Sequence, residues 1–291
     1  MQNSIEVIED KSLSSIQVVG GSIGIFDSGY GGLTILEKIR TELPEYDYIY
    51  LGDNARTPYG TRSFEVVYKY TLECVNRLFE MGCPLVVLAC NTASAKALRT
   101  IQQNDLPKID PTRRVLGVIR PTVEAVGEMT QTKHIGLLAT PGTVQSDSYP
   151  LEIAKLHNNI TVTSEACPLW VPLIENNEHE SEGAAYFVRK NVLNLIKADS
   201  LIDTVILGCT HYPILEEKIK SLLSESVRVV SQGEIVAASL ADYLQRHPDM
   251  ADRCTKGGSI RYLTTESIEK FISSASIFLN EEIEAEHIDL D

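Results

Sequence analysis

Short apolar runs recur along the chain at 22–26, 47–51, 85–89, 114–118, 134–138, 160–164, 204–207 and 227–231. They are continuous rather than alternating, which predicts parallel strands covered on both faces. Between them lie stretches with apolar residues at helical spacing. The clearest runs from 63 to 81, where Phe64, Val67, Tyr68, Val75, Leu78 and Phe79 recur at helical intervals. Gly82 stops that helix and Pro84 forbids its continuation. Strands alternating with helices predict an α/β fold with mainly parallel sheets.

Two of the predicted strands end alike. Residues 86–90 read VVLAC and residues 205–209 read VILGC, followed by Asn91-Thr92 and Thr210-His211. Each cysteine falls just past the C-terminal end of a strand, where a helix begins. In open α/β sheets ligands bind at that end, and a helix N-terminus favours a thiolate. A weaker echo links GIFDS at 24–28 with GLLAT at 136–140. Asp27 precedes Cys90 by 63 residues and Thr140 precedes Cys209 by 69. The pattern predicts two α/β halves that face each other across a cleft, each presenting a thiol. The chain is expected to cross into the second half near Thr112 and to return near Ser226. This divides it into an N-terminal extension (1–20), a first domain (21–112 plus 226–291) and a second domain (113–225).

Charge narrows the partners. The 40 acidic residues outnumber 26 basic ones, giving a net charge of −14. No Lys/Arg run offers the basic footprint that a nucleic-acid backbone needs. A small anionic substrate remains compatible, because backbone N–H groups can hold a carboxylate locally. No run of 18 apolar residues is present, and the first 20 residues lack a basic segment followed by an apolar one. A cytoplasmic protein without membrane partners is the expectation. The six cysteines form no C-x-x-C pair, which argues against a zinc ribbon or a thioredoxin-type site. Cys74, Cys83 and Cys254 read as buried small hydrophobes.

Three further loops follow predicted strands. FDSGYGG at 26–32 opens a helix, but its glycine spacing is neither the dinucleotide nor the P-loop pattern. Asp27 and Ser28 would project into the cleft or cap that helix. GDNARTPYG at 52–60 places Pro58, Tyr59 and Gly60 in a turn whose backbone could hold a carboxylate. ATPGTVQSDSY at 139–149 brings Thr140 to the end of another strand. His211 is the one histidine inside a cysteine-bearing repeat.

One Cys beside one His also suits a cysteine hydrolase, but that chemistry has no use for a second, matching cysteine. Zinc held by Cys90, Cys209 and His211 fits poorly with thiols on opposed halves. Opposed thiols do suit inversion of a stereocentre bearing an acidic C–H. One thiolate removes the proton from one face and one thiol returns it to the other. With a reference pKa near 8.5, only about 3% of a free thiol is thiolate at pH 7. Each side therefore needs an assistant. Asp27 near Cys90 and His211 near Cys209 are the candidates.

The motifs FDSGYGGLT (26–34), GDNARTPYG (52–60), ACNTASA (89–95), GLLATPGTV (136–144), CPLWVPLIE (167–175) and LGCTHYP (207–213) resemble those of bacterial glutamate racemases, within the cofactor-independent aspartate/glutamate racemase superfamily. RYLTTES and the final EHIDL are similar to the family's C-terminal pattern, so the resemblance runs from about residue 21 to 291. It implies two pseudo-twofold-related α/β domains with the site between them. It implies reversible L-/D-glutamate interconversion without cofactor or metal, supplying D-glutamate for peptidoglycan. Cys90 is implied as the acid/base for D-glutamate and Cys209 for L-glutamate, assisted by Asp27, His211 and Glu175. Substrate contacts are implied for Asp27, Ser28, Pro58, Tyr59, Gly60, Asn91, Thr92, Thr140, Thr210 and His211, with Trp170 beside the cleft. Tyr30 and Asn54 depart from the family's usual Val and Thr. The resemblance also implies a homodimer and, for residues 1–20, regulation by a peptidoglycan precursor. Racemisation of aspartate and a non-catalytic amino-acid-binding module are the rival readings.

Overall fold

The computed structural model describes residues 20–279 and 281–290. The expectation for residues 1–20 therefore lies outside the described residues, Gly20 excepted. Ten strands are described: β1 (Ile23–Asp27), β2 (Tyr48–Gly52), β3 (Leu85–Leu88), β4 (Arg114–Gly117), β5 (His134–Ala139), β6 (Thr161–Ala166), β7 (Thr204–Gly208), β8 (Arg228–Val230), β9 (Ile260–Thr264) and β10 (Ala285–His287). They form two sheets, ordered β10-β9-β2-β1-β3-β4 and β6-β5-β7-β8. Every strand pair is parallel.

The repeated sequence becomes a repeated topology. In the first sheet the chain runs from β1 to β2 on one side, then returns to lay β3 on the other side of β1. In the second it does the same from β5, with β6 on one side and β7 on the other. Each reversal leaves a crevice at the carboxyl ends of the two inner strands, where doubly wound sheets bind ligands. Asp27 and Cys90 flank the first crevice, and Thr140 and Cys209 flank the second.

Burial follows position in the sheet. The residues of β1, β2, β3 and β7 are all buried, matching their unbroken apolar runs. β6, at an edge, is intermediate or exposed throughout, contrary to the two-sided burial its apolar run predicts. An edge strand lacks a neighbour on one side and is covered less. Strand pairing also places β4 with β3 and β8 with β7. The chain thus leaves the first sheet after Gly117 and the second after Val230, a few residues beyond the crossings expected near Thr112 and Ser226.

The helices that position the site are α1 (Leu33–Glu42), α2 (Phe64–Glu80), α3 (Asn91–Lys96), α4 (Ile119–Met129), α5 (Pro141–Gln145), α6 (Ser148–Leu156), α7 (Trp170–Glu175), α8 (Glu182–Ala198) and α9 (Gly233–Arg246). α2 matches the helix predicted over 63–81, and its start is capped by Ser63, whose Oγ accepts from Val66 N at 3.4 Å. Its first residue, Phe64, is exposed, while Val67, Cys74, Val75, Leu78 and Phe79 face the sheet. One apolar cluster runs through both units, joining Ile25 and Leu33 to Leu138, Trp170 and Val205. The two sheets thus share a core behind the crevices.

Candidate active site

The two crevices open onto one cleft of about 70 Å³. That is well below the roughly 300–1,000 Å³ of sites for drug-sized ligands, so the cleft as it stands excludes a molecule of that size. Its lining comes from both units: Ser28, Cys90, Asn91 and Thr92 on one side, and Thr140, Cys209, Thr210 and His211 on the other. Pro58, Tyr59 and Gly60 complete the group of expected lining residues. Asp27 and Glu175 lie behind this surface.

On the first side, β1 ends at Asp27, which is 1% exposed. Gly29 N donates to its Oδ2 at 3.0 Å. Burial raises the Asp27 carboxyl above its ordinary value, against the charge of His211 and the N–H groups of Gly32 and Gly29. Ser28, not Asp27, makes the described contact with Cys90: Ser28 Oγ lies 3.1 Å from Cys90 Sγ. Cys90 caps α3, accepting from Ala93 N at 3.4 Å. The helix N-terminus does not win here, contrary to the expectation that it would favour the thiolate. Burial, with Asp27 nearby, pushes the Cys90 thiol up to about 12, while Ser28 and Ala93 pull the other way.

The second side is built differently. Cys209 follows β7, and its Sγ lies 3.8 Å from His211 Nδ1. His211 Nε2 lies 2.9 Å from Glu175 Oε1, at the end of α7. Burial lowers the His211 pKa, but hydrogen bonds and charge from Cys209 and Glu175 outweigh it and leave the imidazole well above its usual value. Thr57 Oγ1, which the sequence did not single out, reaches Glu175 Oε1 at 3.5 Å.

The glycine-rich loop lets these groups meet. A Cβ at Gly31 would lie 2.3 Å from His211 Nδ1, and one at Gly32 would lie 2.5 Å from Asp27 Cβ. FDSGYGG therefore serves close approach of the two halves. Across the cleft, the Thr92 and Thr140 hydroxyls lie 3.0 Å apart, with Thr143 Oγ1 3.1 Å from Thr140. The Tyr59 hydroxyl donates to Asp53, so it is spent away from a ligand in the cleft that Tyr59 lines. Trp170 is fully buried, donates to Asn191 Oδ1 at 3.0 Å and packs against Tyr212. Its neighbours Cys167, Pro168, Val171 and Pro172 form the apolar wall of the cleft. They were missed because apolar residues near a predicted site read as core. Among the described residues, no three His, Cys, Asp or Glu side chains are grouped so as to hold a metal ion.

This geometry has relatives. Residues 31–240 match the family model described as Asp/Glu/Hydantoin racemase. The chain belongs to this racemase family. A glutamate racemase from Roseobacter denitrificans is 42% identical over 273 residues, spanning 90% of this chain and 98% of that protein. The Francisella tularensis glutamate racemase, solved in complex with D-glutamate, aligns with a TM-score of 0.83 and 33% identity over 94% of this chain and 98% of its own. The Escherichia coli glutamate racemase, solved with L-glutamate and the activator UDP-MurNAc-Ala, aligns with a TM-score of 0.74 and 27% identity over 92% of this chain and 97% of its own. The family's two-unit α/β architecture is the one described above.

Proposed function

We propose that the protein racemises glutamate by proton transfer between two cysteines. The observation that carries this reading is the paired placement of Cys90 and Cys209. Each sits at the same point of its sheet, and both line one small cleft. A thiolate on one side removes the Cα proton, leaving a planar carbanion conjugated with the α-carboxylate. The thiol on the other side protonates the opposite face. The first cysteine ends as thiol and the second as thiolate, so charge and protons balance and the reverse reaction exchanges their roles. In the L-to-D direction Cys209 is the base, with His211 placed to take up or return its proton, and Cys90 is the acid. Asp27 and Glu175 act from behind, Glu175 by holding the imidazole. Tyr59 and Gly60 offer backbone N–H groups to a carboxylate, with Pro58 shaping the turn that presents them, and Ser28, Asn91, Thr92, Thr140 and Thr210 offer polar contacts.

Glutamate rather than aspartate is favoured by the names of the relatives and by the threonine and histidine that follow Cys209. The product, D-glutamate, would enter peptidoglycan assembly, and the cytoplasm is where that precursor chemistry would place the enzyme. No described helix is long and apolar enough to cross a membrane. A homodimer is part of the same reading, and so is a precursor-type regulator of the kind named as activator for the Escherichia coli relative.

The test is incubation with L-glutamate in heavy water without added cofactor. Loss of circular dichroism together with deuterium at Cα of the D-product is expected. Folded protein that shows neither, but racemises aspartate, would transfer the reading to that substrate. Protein that binds glutamate without exchange would be the binding module.

A further inference from the structure

Beside Cys90 lies a polar cluster of which the two-cysteine scheme uses only Asn91. Asn91 lines the cleft, while Tyr149 on α6, Gln232 at the start of α9 and Thr122 on α4 lie outside its lining. Asn91 and Gln232 are 2% exposed, and Tyr149 and Thr122 are fully buried. Asn91 Nδ2 donates to Gln232 Oε1 at 2.5 Å. Gln232 Nε2 donates to the Tyr149 hydroxyl at 2.7 Å. The Tyr149 hydroxyl donates to Asn91 Oδ1 at 2.7 Å. The three bonds close a ring.

The direction of the ring is fixed by Thr122. Its hydroxyl donates to Val118 O at 2.8 Å, so its one proton is committed. The Gln232 atom that faces Thr122 Oγ1 at 2.8 Å must therefore be the amide nitrogen. Gln232 Oε1 is left to accept from Asn91, and the tyrosine proton is left for Asn91 Oδ1. The Asn91 amide cannot flip without setting acceptor against acceptor at Gln232, a costly clash in a buried site. One Asn91 N–H remains unspent, on a residue that lines the cleft.

The ring also spans the joint between the two units. Asn91 follows β3 of the first sheet, Tyr149 follows β5 of the second, and Gln232 lies just past β8 where the chain crosses back. Val118, at the other crossing, accepts from Thr122. We infer that Gln232 and Tyr149 are positioning residues for the racemase, locking the Asn91 amide so that its free N–H meets the substrate when the two units stand in this arrangement. This rests on the proposed racemase reading, under which Asn91 touches the substrate.

The experiment is a double-mutant cycle between Tyr149→Phe and Asn91→Ala. Tyr149→Phe keeps the ring volume and removes only the hydroxyl. Racemisation of both glutamate enantiomers is followed by circular dichroism beside the unsubstituted enzyme, whose turnover tests the racemase reading separately. Tyr149→Phe is expected to lower kcat/KM about tenfold, equally in both directions because enantiomers have equal free energy. In the Asn91→Ala background the same substitution is expected to change kcat/KM less than about twofold. An equal loss in both backgrounds, or no loss in the first, overturns the inference. Where Asn91→Ala turnover is too slow for steady state, the cycle is read from deuterium wash-in at Cα over hours. Gln232→Glu serves as a second variant. It keeps the acceptor for Asn91 but removes the donor to Tyr149 and Thr122, and its loss must vanish with Asn91 in the same way.

Discussion

The two thiols occupy matching points in matching topologies, yet their surroundings differ in kind. Cys90 is met by a hydroxyl and a backbone N–H, from Ser28 at 3.1 Å and Ala93 at 3.4 Å. Cys209 is met by an imidazole at 3.8 Å, itself held by a carboxylate. A serine hydroxyl can orient a thiol or stabilise a thiolate, but it does not act as a base near neutral pH. An imidazole can accept a proton and return it. Symmetry of the backbone therefore repeats the place of the acid/base group, while the proton chemistry around it is local. Cys90 is held as the thiol, since burial keeps its pKa near 12. That is the state required to protonate a carbanion formed by Cys209.

The comparison breaks most sharply when either cysteine is removed. Cys90→Ala and Cys209→Ala should each lower racemisation by about 10³–10⁴-fold, the upper range for a general acid or base. The residual chemistry should differ. Cys90→Ala keeps the Cys209 side and should still wash deuterium into L-glutamate, while Cys209→Ala should do so only into D-glutamate. Mass spectrometry of each recovered enantiomer checks this, and wash-in to the wrong enantiomer would exchange the assigned roles.

The next effect concerns the histidine side. His211→Asn should cost about 10²-fold in kcat/KM. Glu175→Gln should cost about tenfold, or roughly 1.4 kcal/mol. Glu175 raises the His211 pKa by hydrogen bond and charge, opposing burial. Without its carboxylate the imidazolium loses its proton at lower pH, and the alkaline limb of the kcat profile should move down. A pH profile of the Gln variant that overlays the native one would remove Glu175 from this role.

A smaller effect sharpens the Cys90 side. A thiol held near 12 is protonated across the neutral range, so its thiolate fraction should grow about tenfold per pH unit from pH 7 to 10. Alkylation of Cys90 by iodoacetamide, mapped by peptide mass spectrometry, should follow that slope without levelling off. A plateau below pH 9 would show that the helix N-terminus and Ser28 outweigh burial.

The smallest effect is on stability. Burial raises the Asp27 carboxyl in the folded state, so as pH rises the unfolded chain releases this proton first. Stability falls across the window from an ordinary carboxylate value, about 3.9, up to the raised one, and stays lower above it. Asp27→Asn removes that penalty. It should raise Tm at pH 7–8 while slowing racemisation, with no gain below about pH 4. Differential scanning calorimetry at both pH values checks the sign.

Much of this was legible because buried parallel strands leave continuous apolar runs. Eight strands were readable, but β9 and β10 were not: Ile260–Thr264 carries Arg261 amid its apolar residues, and Ala285–His287 is mostly exposed at an edge. The thiols were legible because they repeat. The Ser28–Cys90 contact was not, because the longer carboxylate of Asp27 is the more obvious assistant. Nor was the Thr122–Gln232–Tyr149–Asn91 network, whose members lie in four segments that no periodicity connects.

By itself, the sequence determined the strand–helix alternation, the repeat and the residues that end each inner strand. Those follow from local patterns of burial, turn chemistry and residue type. Only the tertiary structure decided which neighbour each thiol receives, how burial sets the Cys90 proton affinity, and which polar groups close a ring at the joint between the units. Such properties depend on distances between segments far apart in the chain, and on how completely water is excluded where they meet.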